Sequence, residues 1–261
     1  MKKFRLPNKI VWIKNNISDA SETFYPSFYK ETIKRESFFE NNFEVQFLDA
    51  DIDKLKNIFL PLYLEEVASK KDFTLGKDYI VNKLMDSIKN SDLYKFIFVY
   101  HKDKLVIATL FSLKNNGLYI CNRAFDRDFD KKLSHGATIS YWMEKLIFEY
   151  GINRNVKFFS RGKDTHPYTG KSRIGLPLYK FKTGFKPRKP MPETKFIEND
   201  MTEGFFRERN EPILFFYNED SDGFCKDAYL YYPPDSISRD YLNEFKKVIE
   251  WSGLNFISFE Y

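Results

Sequence analysis

Three apolar runs constrain this chain more than any other feature. Residues 94–100 (YKFIFVY), 105–113 (LVIATLFSL) and 118–123 (LYICNR) follow one another with little between them but HKDK and NNG. Runs rich in Phe, Ile, Val and Tyr, punctuated by turn-forming residues, predict strands in an antiparallel meander. Directly downstream, Ile139, Trp142, Met143, Leu146, Ile147 and Tyr150 recur at the spacing of one helical face, and Gly151 is placed to cap its C-terminus. Residues 156–160 read as a further strand. A meander followed by a long amphipathic helix and another strand predicts a mixed α/β sheet with helices covering its faces.

Upstream, residues 44–49 read as a strand and Asp51 offers an N-cap to a helix bearing Leu55, Ile58, Phe59 and Leu62, which Pro61 should kink or end. A second helix is expected over 77–89, with Ile80, Val81, Leu84 and Ile88 on one face. The first 43 residues form an extension with a short strand at 9–13 and a polar, aromatic-dotted stretch near 27–39. At 186–195 the segment KPRKPMPETK, with three prolines and four cations, breaks helix and central strand alike. The expected division is therefore an extension over 1–43, a core over 44–190 and a small module over 191–261. In that module, runs at 213–217 and 228–232 form a hairpin, Asp235 or Ser236 caps a helix, and 254–259 closes a β-β-α-β unit packed on the core.

Composition excludes several classes. With 28 Phe and 17 Tyr among 261 residues, the chain is an ordered globular protein. Pro7, Asn8, Lys9 and Lys14 interrupt any signal-peptide core, and no run approaches the roughly 20 apolar residues of a membrane-spanning helix, so a soluble, cytoplasmic protein without membrane insertion is expected. Its two cysteines, Cys121 and Cys225, lack CxxC spacing, and His101, His135 and His166 share no ligating spacing, so no metal is expected. No GxSxG, Walker A or GxGxxG motif occurs. The formal charge of +5 suits an anionic ligand and equally suits ordinary solubility.

Chemistry concentrates in two segments. Between the meander and the long helix stand Lys131, Lys132, Leu133, Ser134, His135, Gly136 and Ala137. A helix N-terminus offers unpaired N–H groups and the positive end of a dipole, to which Gly136 would admit a phosphate closely and the lysines would add charge. The same residues also suit a plain capped helix start. Further on, residues 161–175 gather Arg161, Lys163, Asp164, His166, Tyr168, Lys171 and Arg173 at the end of a strand. A carboxylate or an imidazole can accept a proton and a phenol can donate one. Asp164 and His166 are candidate bases and Tyr168 a candidate proton donor, with structural roles open to each. Lys180 and Lys182 in YKFKTGF suit either a site or a solvated edge.

Residues 131–137 resemble the pyrophosphate loop of GNAT-type acyltransferases, commonly R/Q-x-x-G-x-G/A, with Lys131 at its first position, Gly136 at its second glycine and Ser134 replacing the first. KKLSHGATISYWMEKLIFEYGI, FFSRGKDTHPYTG and GLPLYKFKTGFKP are similar to the ending of the FemAB-like and BioF2-like branch. The resemblance implies a GNAT-like core that holds acyl-CoA by its pyrophosphate at 131–137, with Arg161 and Lys180 toward the substrate. It implies an N-acyltransferase acting, by direct attack in a ternary complex, on the amine of a small metabolite such as an amino sugar or amino acid, with acetyl-CoA or another acyl-CoA as donor. Two alternatives stay open: transfer of an aminoacyl group from charged tRNA to a peptidoglycan precursor or peptide, and a non-catalytic binding protein on a decayed fold.

Overall fold

The computed structural model of the chain describes residues 6–15, 18–19, 21, 24–68, 77–89, 92–126, 128–129, 136–190, 196–197, 208 and 210–260. They form two compact units, Ser27–Phe159 and the discontinuous pair Met1–Pro26 with Ser160–Tyr261. These units divide the chain elsewhere than at residues 43 and 190.

In the unit Ser27–Phe159, strands β3 (Glu44–Asp49), β4 (Tyr94–His101), β5 (Lys104–Lys114) and β6 (Gly117–Phe125) pair antiparallel in that order. Both tight turns use left-handed residues, Lys102 and Asp103 in one and Asn115 and Asn116 in the other. Two consecutive positive φ values are what a twisted hairpin needs. Between β5 and β6 the register shifts at Leu110/Phe111, where Asn122 and Ile120 are successive partners and Cys121 is the extra residue.

One face of this meander is packed by Leu55, Phe59, Leu84 and Ile88 against Phe96, Phe98 and Leu110. The helical segment that supplies the first two has three parts: α3 (Ile52–Lys54), a π-helical turn (Leu55–Phe59) and α4 (Leu60–Ala68). Asp51 caps it by accepting the Lys54 N–H. Pro61, expected to kink or end the helix, does not end it: the helical run continues through it to Ala68, and a wider π turn lies directly before it. Helix α5 (Lys77–Lys89) supplies Leu84 and Ile88.

Residues 27–42 are mostly helical, in α1 (Pro26–Lys34) and α2 (Glu36–Asn42). The long helix α6 (Gly136–Ile152) buries Trp142, which stacks on Phe39 at 5.1 Å, and Phe148, which meets Phe159 edge-on at 4.8 Å. Gly151 lies inside this helix and is not its left-handed cap; Asn155, φ 55°, makes that turn. A Cβ at Gly151 would stand 2.6 Å from the Phe159 ring, so close packing is what the glycine serves.

The other unit holds β1 (Leu6–Pro7), β2 (Lys9–Asn15) and most of β7 (Phe158–Thr165), then β8 (Tyr168–Thr169), α7 (Lys171–Lys182) and β9 (Lys186–Arg188). It continues through β10 (Phe196–Ile197), β11 (Ile213–Glu219), β12 (Cys225–Tyr232), α8 (Arg239–Trp251) and β13 (Asn255–Glu260). Strand β2 lies between β7 and β9, and a second sheet runs β13-β12-β11-β8. The proline-rich break at 186–195 begins as strand β9, antiparallel to β2, with Pro187 opposite Trp12. Pro187 is tolerated because β9 is an edge strand. After the hairpin β11–β12, helix α8 crosses over to bring β13 parallel to β12, with Phe245, Val248 and Ile249 buried beneath it.

Candidate active site

The densest polar cluster of this second unit lies where β2, β7, β8 and α7 converge. Lys180, buried on α7, places Nζ 2.6 Å from Asp164 Oδ2 on β7. The Tyr168 hydroxyl donates to that same oxygen at 2.6 Å and accepts from Trp12 Nε1–H at 2.8 Å. Lys180 Nζ also lies 5.3 Å from the Trp12 ring centroid, and Phe181 and Phe216 pack edge-on against that ring at 5.1 and 5.5 Å. The hydrogen-bonded chain from indole to phenol to carboxylate to ammonium is thus held in an aromatic wall.

Why Lys180 is buried follows from its helix. Thr183 caps α7 and Gly184 follows at φ 81°, with Gly184 N–H donating to Phe181 O and Phe185 N–H to Lys180 O. That paired pattern is a Schellman cap, so TGF in YKFKTGF is a helix-stop signal. Lys182 is buried as well and pairs with Glu244 on α8. Neither lysine is a solvated edge.

Asp164 has one carboxylate oxygen, Oδ2, committed to Lys180 and Tyr168; its side chain is 16% exposed, and among the described residues Oδ1 has no hydrogen-bond partner. A carboxylate fixed by one oxygen and open at the other can accept a proton or hold an ammonium group. Tyr168 is nearly buried, and burial, followed by the Asp164 charge and hydrogen bond, drives its phenol far above the usual value. Its proton stays on oxygen and points at Asp164, so in this arrangement it orients the carboxylate.

His166 is fully buried. Nδ1 lies 2.8 Å from the Pro7 carbonyl oxygen, and Nε2 accepts the Phe216 N–H at 2.9 Å, which fixes the proton on Nδ1 as a donor to Pro7. Burial lowers its pKa to about 4, against a weaker raising effect of the Pro7 hydrogen bond. With both nitrogens engaged, the ring has no lone pair to offer a substrate; it ties β1 to β11. Arg161 lies beside the cluster, its guanidinium 5.0 Å from the Tyr179 ring centroid and 3.4 Å from the Tyr179 hydroxyl. Lys163 is exposed.

Lys131, Lys132, Leu133, Ser134 and His135 lie outside the described residues. Gly136 and Ala137 lie in α6, in the other unit. Among the described residues no cluster of three or more His, Cys, Asp or Glu could hold a metal. Burial pushes the Cys225 thiol up to about 12, so it is no nucleophile at neutral pH. No described helix is long and apolar enough to cross a membrane.

Trp12 is the member of the cluster that sequence reasoning missed. It stands 152 residues before Asp164, and its only local signal was membership of the short strand expected at 9–13.

No protein-family model matches the sequence, and no curated protein matches it significantly. Solved structures do. FemX aligns with a TM-score of 0.51 at 11% identity, covering 72% of this chain and 61% of that one. A conserved protein of unknown function from Bacteroides thetaiotaomicron VPI-5482 aligns at 0.48 and 14% identity, covering 69% and 57%. An aminoglycoside acetyltransferase from an uncultured soil metagenomic sample gives 0.28 at 20% identity, over 43% of this chain and 74% of that one. The chain thus spans about three-fifths of the first two structures. At such identities likeness speaks of fold, and only the FemX alignment is close enough to carry weight. Together with the order of strand, helices, antiparallel meander, long helix and strand, it gives the chain a mixed α/β fold similar to that of FemX.

Proposed function

We propose that the chain is an N-acyltransferase that moves an acetyl or other acyl group from acyl-CoA to an amine of a small metabolite, such as an amino sugar or amino acid. The observation that carries this reading is Asp164, a carboxylate clamped by Lys180 and Tyr168 with one oxygen left open. In a ternary complex the amine nitrogen attacks the thioester carbonyl carbon, the carbonyl π electrons move to oxygen, and the C–S bond breaks as they return. The proton lost by the nitrogen goes to Asp164 Oδ1, and the CoA thiolate leaves to be protonated by solvent. Lys180 and Tyr168 hold the carboxylate by Oδ2 and leave Oδ1 to the substrate, and His166 fixes the strands around it. The donor's pyrophosphate is assigned to residues 131–137 on their resemblance to the pyrophosphate loop of GNAT-type acyltransferases.

Release of free thiol from acetyl-CoA, followed across a panel of primary amines, tests this reading. Asp164→Asn should lower kcat by about 10²–10⁴-fold, as loss of a general base does. An unchanged rate in Asp164→Asn, or no thiol release with any amine, would sink it.

A second reading draws on the fold shared with FemX: aminoacyl transfer from charged tRNA to a peptidoglycan precursor or peptide. Retention of charged tRNA at physiological salt by a chain that ignores acyl-CoA would favour it.

A further inference from the structure

A second site stands in the discontinuous unit, lined by none of the cluster just described. A cavity of about 430 Å³ opens between the end of β2, strand β9, the β11–β12 turn and the end of α8. That volume lies in the range of roughly 300–1,000 Å³ typical of small-molecule sites.

Its chemistry is specific. Lys14, Lys186 and Lys226 line it, against a single carboxylate, Asp220. Asp220 turns Oδ1 inward to accept the Asp222 and Phe224 N–H groups of its own turn. Lys186 and Lys226 have no ion-pair partner among the described residues, whereas neighbouring Lys189 is paired with Glu219 at 3.0 Å. Two ammonium groups, those of Lys186 and Lys226, thus stand unpaired at a cavity with one carboxylate in its lining. At the end of α8 the Val248, Ile249 and Glu250 carbonyls are hydrogen-bonded to the N–H groups of Ser252, Leu254 and Gly253.

The remaining wall is aromatic. Trp251 is 38% exposed at the cavity, a large indole left in solvent and steadied from behind by Tyr25 at 5.4 Å, edge-on. Phe224 lines the same space, with the Arg188 guanidinium 5.5 Å from its ring centroid. An exposed indole beside unpaired ammonium groups offers a stacking surface next to an anion site.

We infer that this cavity binds a small organic anion that carries a flat ring, with the ring on Trp251 and the phosphate or carboxylate at Lys186 and Lys226. The inference stands apart from the acyl-transfer reading. A chain that binds such an anion here but transfers no acyl group keeps the site and loses the proposed activity.

Calorimetric titration of the full chain with AMP, indole-3-acetate, adenosine and inorganic phosphate tests it, with tryptophan fluorescence read in parallel. AMP and indole-3-acetate separate a phosphate source of the anion from a carboxylate one; adenosine and phosphate supply ring or charge alone. Saturable binding of one ring-bearing anion is expected, at least about tenfold tighter than either half alone, with fluorescence quenching that Trp251→Phe reduces. Lys186→Ala/Lys226→Ala should weaken it at least about tenfold while leaving the circular dichroism melt in place, since both side chains are exposed. Failure of both anions to bind, or equal affinity in the double variant, would overturn the site.

Discussion

At the scale of single residues, Asp164 and Lys180 show how a charge is made usable inside an aromatic wall. Removing one partner of a buried ion pair costs more than the pair contributes, because the other charge is left uncompensated. Lys180→Met should therefore destabilise the protein by about 2–4 kcal/mol, less than a wholly enclosed pair would lose because Asp164 keeps some contact with water. Trp12→Phe, which deletes the hydrogen bond to Tyr168 and leaves a small cavity where the indole was wholly buried, should cost about 1–3 kcal/mol, somewhat less than Lys180→Met. Urea denaturation of both variants checks the order. His166 gives a pH signature. Its pKa falls from 6.5 to about 4 on folding, so the unfolded chain takes up a proton that the folded chain refuses. The resulting stability is complete above pH 6.5 and declines as pH falls through the window to about 4, by roughly 3 kcal/mol. His166→Gln, which can keep a donor and an acceptor without titrating, should flatten the slope of the urea midpoint over that window.

At the scale of elements, close packing between β6 and the start of β7 sets a sharp constraint. A Cβ at Gly117 would overlap the Phe158 ring, whereas one at Gly162 would meet nothing within 4 Å and suffer only its positive φ of 73°. Gly117→Ala should cost about 1–3 kcal/mol and Gly162→Ala about 1, a difference that thermal melts resolve. The meander, the long helix and the closing β-β-α-β were legible because each carries its own periodicity and turn residues, as at Asn115–Asn116. What could not be read was contact across distance. Trp12 joins Asp164 only through tertiary packing, and the engagement of His166 depends on the Pro7 carbonyl and the Phe216 amide, two groups every peptide has. Residues 161–175, expected at the end of a strand, complete β7, form β8, which pairs with β11, and begin α7. Pro187 misled for the same reason, since edge position decides whether a strand tolerates proline.

At the scale of the whole molecule, the discontinuous unit depends on strand β2 near the start of the chain. Strand β2 lies between β7 and β9 and contributes fully buried Trp12 and Ile10. Deleting residues 1–15 should strip amide-exchange protection from β9, the edge strand whose ladder partner in the sheet is β2. The proposed activity rests on donor binding, and calorimetric titration of the purified chain with acetyl-CoA is its most direct measure. One-to-one saturable binding below about 1 mM, with turnover lost in Asp164→Asn, is the expected result. No heat with acetyl-CoA or longer acyl-CoA, under conditions where charged tRNA is retained, would contradict it.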